Sequence, residues 1–76
     1  MKPTIQQHND FLSHLPVDGL DLEHNDPVLV VNGMNKGKRG VVVSIIELGE
    51  DPLLIIELET GKDVEEKQSN IEKINF

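Results

Sequence analysis

Residues 28–43 read VLVVNGMNKGKRGVVV, and this stretch constrains the chain more than any other. Two apolar runs, Val28 to Val31 and Val41 to Ile46, flank a loop with three glycines and three cations. Valine and isoleucine dominate the flanks, and β-branched side chains favour a pleated surface. The pattern predicts strand, tight loop, strand. Asn32-Gly33 is a turn dipeptide, because both residues tolerate positive φ. Gly37 and Gly40 are expected to let the chain reverse without a Cβ clash, with Lys36, Lys38 and Arg39 projecting into solvent. Two nucleotide-site readings fail on spacing. A P-loop needs four residues between its glycines, where Gly33 and Gly37 enclose three, and it needs Ser or Thr where Arg39 follows Lys38. A dinucleotide fingerprint needs a further glycine ahead of Gly37-x-x-Gly40.

Downstream, the chain completes a small β domain. The second strand is predicted over about Gly40 to Leu48. Ser44 and Glu47 fall on opposite faces there, so a bend or bulge near Ser44–Ile46 must shift the inward face. Gly49-Glu50-Asp51-Pro52 is a turn. In Leu53 to Glu59, Leu54, Ile56 and Leu58 share one face, and Glu57 and Glu59 the other, which describes a half-buried strand. Glu59-Thr60-Gly61-Lys62 predicts a hairpin with Gly61 in the left-handed region. Lys62 to Glu66 forms a fourth strand with Val64 inward. Ser69 and Glu72 stand at capping-box spacing, predicting one helical turn. Ile71, Ile74 and Phe76 finish a short fifth strand.

The glycine spacing Gly33, Gly37, Gly40, between a hydrophobic strand and Val41 to Val43, resembles the KOW motif. That motif lies in an SH3-like barrel of NusG-type transcription elongation factors and several large-subunit ribosomal proteins. The match covers about 16 residues, and the strand pattern carries it from Asp26 to Phe76. The resemblance implies a five-stranded SH3-like barrel over residues 26–76, with Gly37 as the motif's characteristic glycine. It also implies a non-enzymatic module whose loops contact RNA or protein of the transcription or translation machinery.

Residues 1–25 read as an N-terminal extension. A short helix is expected over about residues 4–14, with Thr4 as N-cap, Ile5, Leu12 and Leu15 along one face, Phe11 beside it, and Pro16 ending it. A frayed tail is the alternative. Asp18-Gly19 and Asn25-Asp26-Pro27 are turn signals, and Val17, Leu20 and Leu22 tack the linker onto the barrel.

Charge is distributed unevenly. The net charge is −7, yet residues 27–46 carry +3 and residues 47–66 carry −7. One cationic loop stands against an acidic body. The candidate binding site is therefore Met34, Asn35, Lys36, Gly37, Lys38 and Arg39, with Gly33, Gly40 and Gly61 as structural turn residues. Its alternative is a solvated turn whose cations offset nearby acids. An adjacent aliphatic patch of Val30, Met34, Val42 and Ile46 would add burial, unless all four are core. Three cations permit a salt slope of only about 2 on single-stranded RNA, and no aromatic platform lies near the loop for base stacking. A protein partner is therefore expected ahead of a weak RNA contact. Ribosomal members of the family are basic, and this acidic chain departs from them.

Other classes find little support. The only aromatics are Phe11 and Phe76, too few for a proline-peptide groove or a methyl-lysine cage. There is no cysteine, hence no disulfide or thiolate site. The spacings of His8, His14 and His24 do not match metal ligation, so neither metal nor cofactor is expected. No nucleophile–base pair is recognisable, and catalysis is not expected. No apolar run approaches the roughly 20 residues of a membrane helix, and the expected location is cytoplasmic. The competing functional reading is an acidic accessory or regulatory subunit that meets a basic partner through Glu47–Glu66, with Glu57 and Glu59 on the exposed face. The sequence is silent on oligomeric state.

Overall fold

The computed structural model describes residues 1–75. The chain is mostly β: a helix, α1 (Ile5–Leu12), precedes strands β1 (Pro27–Val30), β2 (Arg39–Glu47), β3 (Leu53–Leu58), β4 (Asp63–Lys67) and β5 (Ile71–Lys73). A 3-10 turn, Gln68–Asn70, separates the last two strands. All five strands join one antiparallel sheet in the order β4-β3-β2-β1-β5. The expected role of Phe76 in the last strand lies outside the described residues. No helix among the described residues is long and apolar enough to cross a membrane.

The sheet must curl. Its outer strands, β4 and β5, are joined by the four chain steps from Lys67 to Ile71, which span about 15 Å at most. A flat five-stranded sheet would hold them about 19 Å apart. β2 supplies the bend. Its register against β3 slips between Val42 and Ser44 and again between Ile45 and Glu47. Each slip adds one residue opposite a single partner, and such bulges bend a strand and deepen its twist. The bend expected near Ser44–Ile46 is thus two bulges. The inward residues of this stretch become Val42, Ile45 and Leu48, at intervals of three rather than two.

Beyond the bulges, alternation holds. Leu54, Ile56 and Leu58 point inward from β3, while Glu57 is exposed. The hairpin from β3 to β4 closes as expected. Gly61 N donates to Leu58 O at 2.8 Å, and Gly61 has φ +90°.

α1 begins at Thr4 through a complete capping box. Thr4 Oγ1 accepts from Gln7 N at 3.1 Å, and Gln7 Oε1 accepts from Thr4 N at 2.8 Å. Its buried residue is Phe11; Ile5, Leu12 and Leu15, expected along the packed face, are exposed. Phe11, Val17 and Leu22 join Val28, Val30, Val42, Ile56 and Ile71 in one hydrophobic cluster, so the core draws on the N-terminal segment as well as the sheet.

The capping box expected at Ser69 does not form. The 3-10 turn is preceded by Lys67, without a side-chain cap. Ser69 bonds instead to Asp51 in the β2–β3 turn, through N at 2.9 Å and Oγ at 2.6 Å. The Ser69 hydroxyl bond, then its amide, hold the Asp51 carboxyl below its ordinary pKa. Glu72, the other half of the expected box, already lies in β5.

Candidate functional site

The loop between β1 and β2 is fastened at both ends and at its middle. At its base, Val30 N donates to Lys38 O at 2.9 Å and Gly37 N donates to Val30 O at 2.8 Å. Inside it, Lys36 N reaches Gly33 O at 3.2 Å and Lys38 N reaches Asn35 O at 3.1 Å. Gly33 and Gly37 take φ of +87° and +90°, a region that glycine enters without a Cβ penalty. Asn35 ties the loop to the far edge of the sheet, its amide donating to Glu66 Oε2 of β4 at 2.7 Å. Asn70 donates to Oε1 of the same carboxylate at 3.5 Å.

Glu66 is 6 % exposed, and it corrects one expectation. Read as part of an acidic surface, it is in fact a buried anchor beneath the cationic loop. Asn35, expected as a binding residue, is half-buried and donates its amide to that anchor. A polar carboxylate in this setting must be hydrogen-bonded to be tolerated, and the two asparagines do this. The partner lies 31 residues downstream of Asn35, so no local signal in the sequence joins the pair.

With the frame held, Met34, Lys36, Lys38 and Arg39 stand exposed. Met34 is 98 % exposed, an apolar side chain at the tip of the loop. None of the three cations makes an ion pair among the described residues.

Gly40 does not serve in the turn. It lies within β2, opposite Leu58, and it is needed because a Cβ there would stand 2.3 Å from the Glu57 carbonyl oxygen. Val30 and Val42, expected in an aliphatic patch, are fully buried, and Ile46 is half-buried. Because neighbouring strand residues face opposite ways, the outward apolar residues are their neighbours Leu29, Val41 and Val43, each half-buried.

Two adjoining depressions run from the loop across this outer face. The larger, about 410 Å³, is lined by Pro27, Arg39, Val41, Glu57, Glu59 and Ile74 among others. The smaller, about 340 Å³, continues it past Lys38, Arg39, Glu59 and Thr60 to Gly37. Pro27 pairs with Val41, and Val41 with Glu57, so an apolar floor runs into an acidic rim along one row of the sheet. Glu59 N donates to Arg39 O at 3.0 Å, so the acidic end of β3 lies beside Arg39, and Glu59 lines both depressions with it. The two surfaces read from the sequence as alternatives thus border one trough. Pro27, Val41 and Ile74 were not among the expected site residues; outward alternation in β1 and β2 was the signal for the first two.

Near the helix, the His24 ring meets Phe11 edge-on at 5.6 Å, and His14 Nδ1 lies 3.5 Å from Glu23 Oε2. The described residues contain no cluster of three or more metal-ligating side chains.

No family model, curated protein or solved structure matches the chain.

Proposed function

We propose that the chain is a non-enzymatic SH3-like barrel of KOW type that docks on a component of a larger machine, transcriptional or translational, through the cationic loop and the groove beside it. The observation that carries this reading is that Lys36, Lys38 and Arg39 are exposed and unpaired among the described residues on a loop tied down at Val30, Gly37 and Asn35. A held loop loses little freedom on binding, so its contacts are not spent on ordering it. The curl of the sheet and the double bulge in β2 support barrel closure.

A protein surface is the favoured partner, with acidic groups for the loop and an apolar side chain for the floor at Val41 and Ile74. RNA is second, because three phosphate contacts give a salt slope of only about 2 and the acidic rim repels a nucleic-acid backbone. The acidic-subunit reading retains support from Glu57 and Glu59, which are exposed along the same groove.

The test is an amide chemical-shift titration with three probes: an acidic peptide, a short single-stranded RNA and a basic peptide. The expected result is salt-sensitive shifts from Gly33 to Gly40 with the acidic peptide, weaker ones with RNA, and loss of both in the Lys36→Ala/Lys38→Ala/Arg39→Ala variant. That variant should keep its stability within about 0.5 kcal/mol, as surface changes usually do. Loop shifts absent with both anionic probes would remove the loop from the mechanism. Shifts with the basic peptide alone, abolished by charge reversal at Glu57 and Glu59, would establish the acidic reading instead.

A further inference from the structure

We propose that Asn32–Gly33 is a self-modifying site, at which the folded loop converts Asn32 to an acidic residue without an enzyme. The chemistry needs an asparagine side chain free to turn back on the next residue, and a following amide nitrogen that is unshielded and free to lose its proton. Glycine at the second position removes the Cβ that would crowd that nitrogen.

Asn32 and Gly33 are both exposed. Among the described residues, the Asn32 side chain makes no hydrogen bond and the Gly33 nitrogen donates none. The neighbouring bonds run from Val31 N to Asn70 O and from Lys36 N to Gly33 O, so Gly33 is held through its carbonyl and not through its nitrogen.

The other asparagines among the described residues with a described residue after them differ in this respect. Asn9 is inside α1. Asn25 precedes Asp26, whose nitrogen donates to Glu23 O at 3.1 Å. Asn35 precedes Lys36, whose nitrogen donates to Gly33 O, and its own amide is bound to Glu66. Asn70 precedes Ile71, a β-branched residue whose nitrogen donates to Gln68 O. Each of these lacks the free following nitrogen that Asn32 has.

The step balances without an oxidant. The Gly33 nitrogen gives up its proton and attacks Asn32 Cγ; a C–N bond forms, and the side-chain nitrogen leaves as ammonia. Water then opens the five-membered imide. Attack at Cγ leaves an ordinary aspartate, and attack at the main-chain carbonyl leaves an isoaspartate whose backbone runs through Cγ. Ammonia leaves, one water enters, and a carboxylate replaces an amide. Residues 27–46 carry +3, and the product lowers this to +2 beside the loop cations. The isoaspartate also lengthens the backbone next to Gly33, whose positive φ seats the turn. An effect on partner binding rests on the loop reading proposed above, whereas the conversion itself does not.

The experiment incubates the full chain in mildly alkaline buffer and follows it by intact mass and peptide mapping. A synthetic peptide of residues 28–40 serves as the unfolded reference. The expected result is amide-to-acid conversion at Asn32 within an order of magnitude of the free-peptide rate, ahead of Asn9, Asn25, Asn35 and Asn70, with one added negative charge on ion exchange. An Asn32→Ser variant should remove that conversion. Conversion more than an order of magnitude slower than in the peptide, or no faster than at the other asparagines, would overturn the proposal, whatever the loop binds.

Discussion

Gly37 and Gly40 are three residues apart, and each requires a missing side chain for a different reason. Gly37 sits at φ +90° with open space where a Cβ would be. Gly40 has an ordinary strand backbone, but a Cβ there would meet Glu57 O at 2.3 Å and Ile56 Cγ2 at 2.8 Å. An alanine at Gly37 therefore costs left-handed strain of about 1–2 kcal/mol, and asparagine, which tolerates that region, should recover much of it. Substitutions at Gly40 push on backbone that no rotamer change can clear. Gly40→Ala should cost about 3 kcal/mol, the upper end of overpacking, and Gly40→Asn more. Urea midpoints of the four variants check the ranking; Gly40→Ala no costlier than Gly37→Ala would contradict it. The need for all three glycines was legible from their spacing. That Gly40 answers to β3 rather than to the turn was not, because the contact is with Glu57, 17 residues away, and depends on strand pairing. Asn35 and Glu66 were illegible for the same reason. The cations were legible because exposure of charge needs no partner.

At the scale of the element, β2 holds the same contrast between local and distant information. Its β-branched composition announced a strand, and Ser44 and Glu47 on opposite faces announced a break in alternation. The number of bulges, and hence which residues after Val43 face inward, depended on the register with β3. One slip moves every later side chain to the other face, which is why Ile45 is core while Ser44 and Ile46, inward by simple alternation from Val42, are only half-buried. Ile45 and Ile46 make the bulges testable. Ile45 pairs with Leu54 and is buried, whereas Ile46 is the extra residue of the second bulge and half-exposed. Ile45→Ala should cost about 2–5 kcal/mol, as for a filled core position. Ile46→Ala should cost less than about 1 kcal/mol, in the range of partly exposed positions. Chemical denaturation of the two variants measures both; equal costs would mean that the register through this segment differs from the one described.

Across the whole molecule, the issue is whether the N-terminal segment completes the fold or merely precedes it. A chain of 76 residues buries only about 60 % of its unfolded surface, so each large core side chain carries weight. Phe11 is 2 % exposed and sits in the same cluster as Val28, Val42 and Ile56. Around it the segment is tied to the sheet by backbone bonds from Leu48 N to Met1 O at 2.7 Å and from Asn25 N to Val42 O at 2.7 Å. Gln68 adds a third tie through Asp21 N, at 2.8 Å. If the core is shared, removing Phe11 must weaken strands that it never touches in sequence. Phe11→Ala is expected to cost about 3–5 kcal/mol, a large part of the 5–15 kcal/mol typical of a small domain. Hydrogen exchange separates the possibilities, because it reads each element's opening free energy. A shared core lowers protection by the same free energy in α1 and in the central strands β2 and β3. An appended segment would release Gln6 to Leu12 alone and leave the protection of Val42, Leu54 and Ile56 unchanged, returning the loop and groove to a sheet that stands without its first 25 residues.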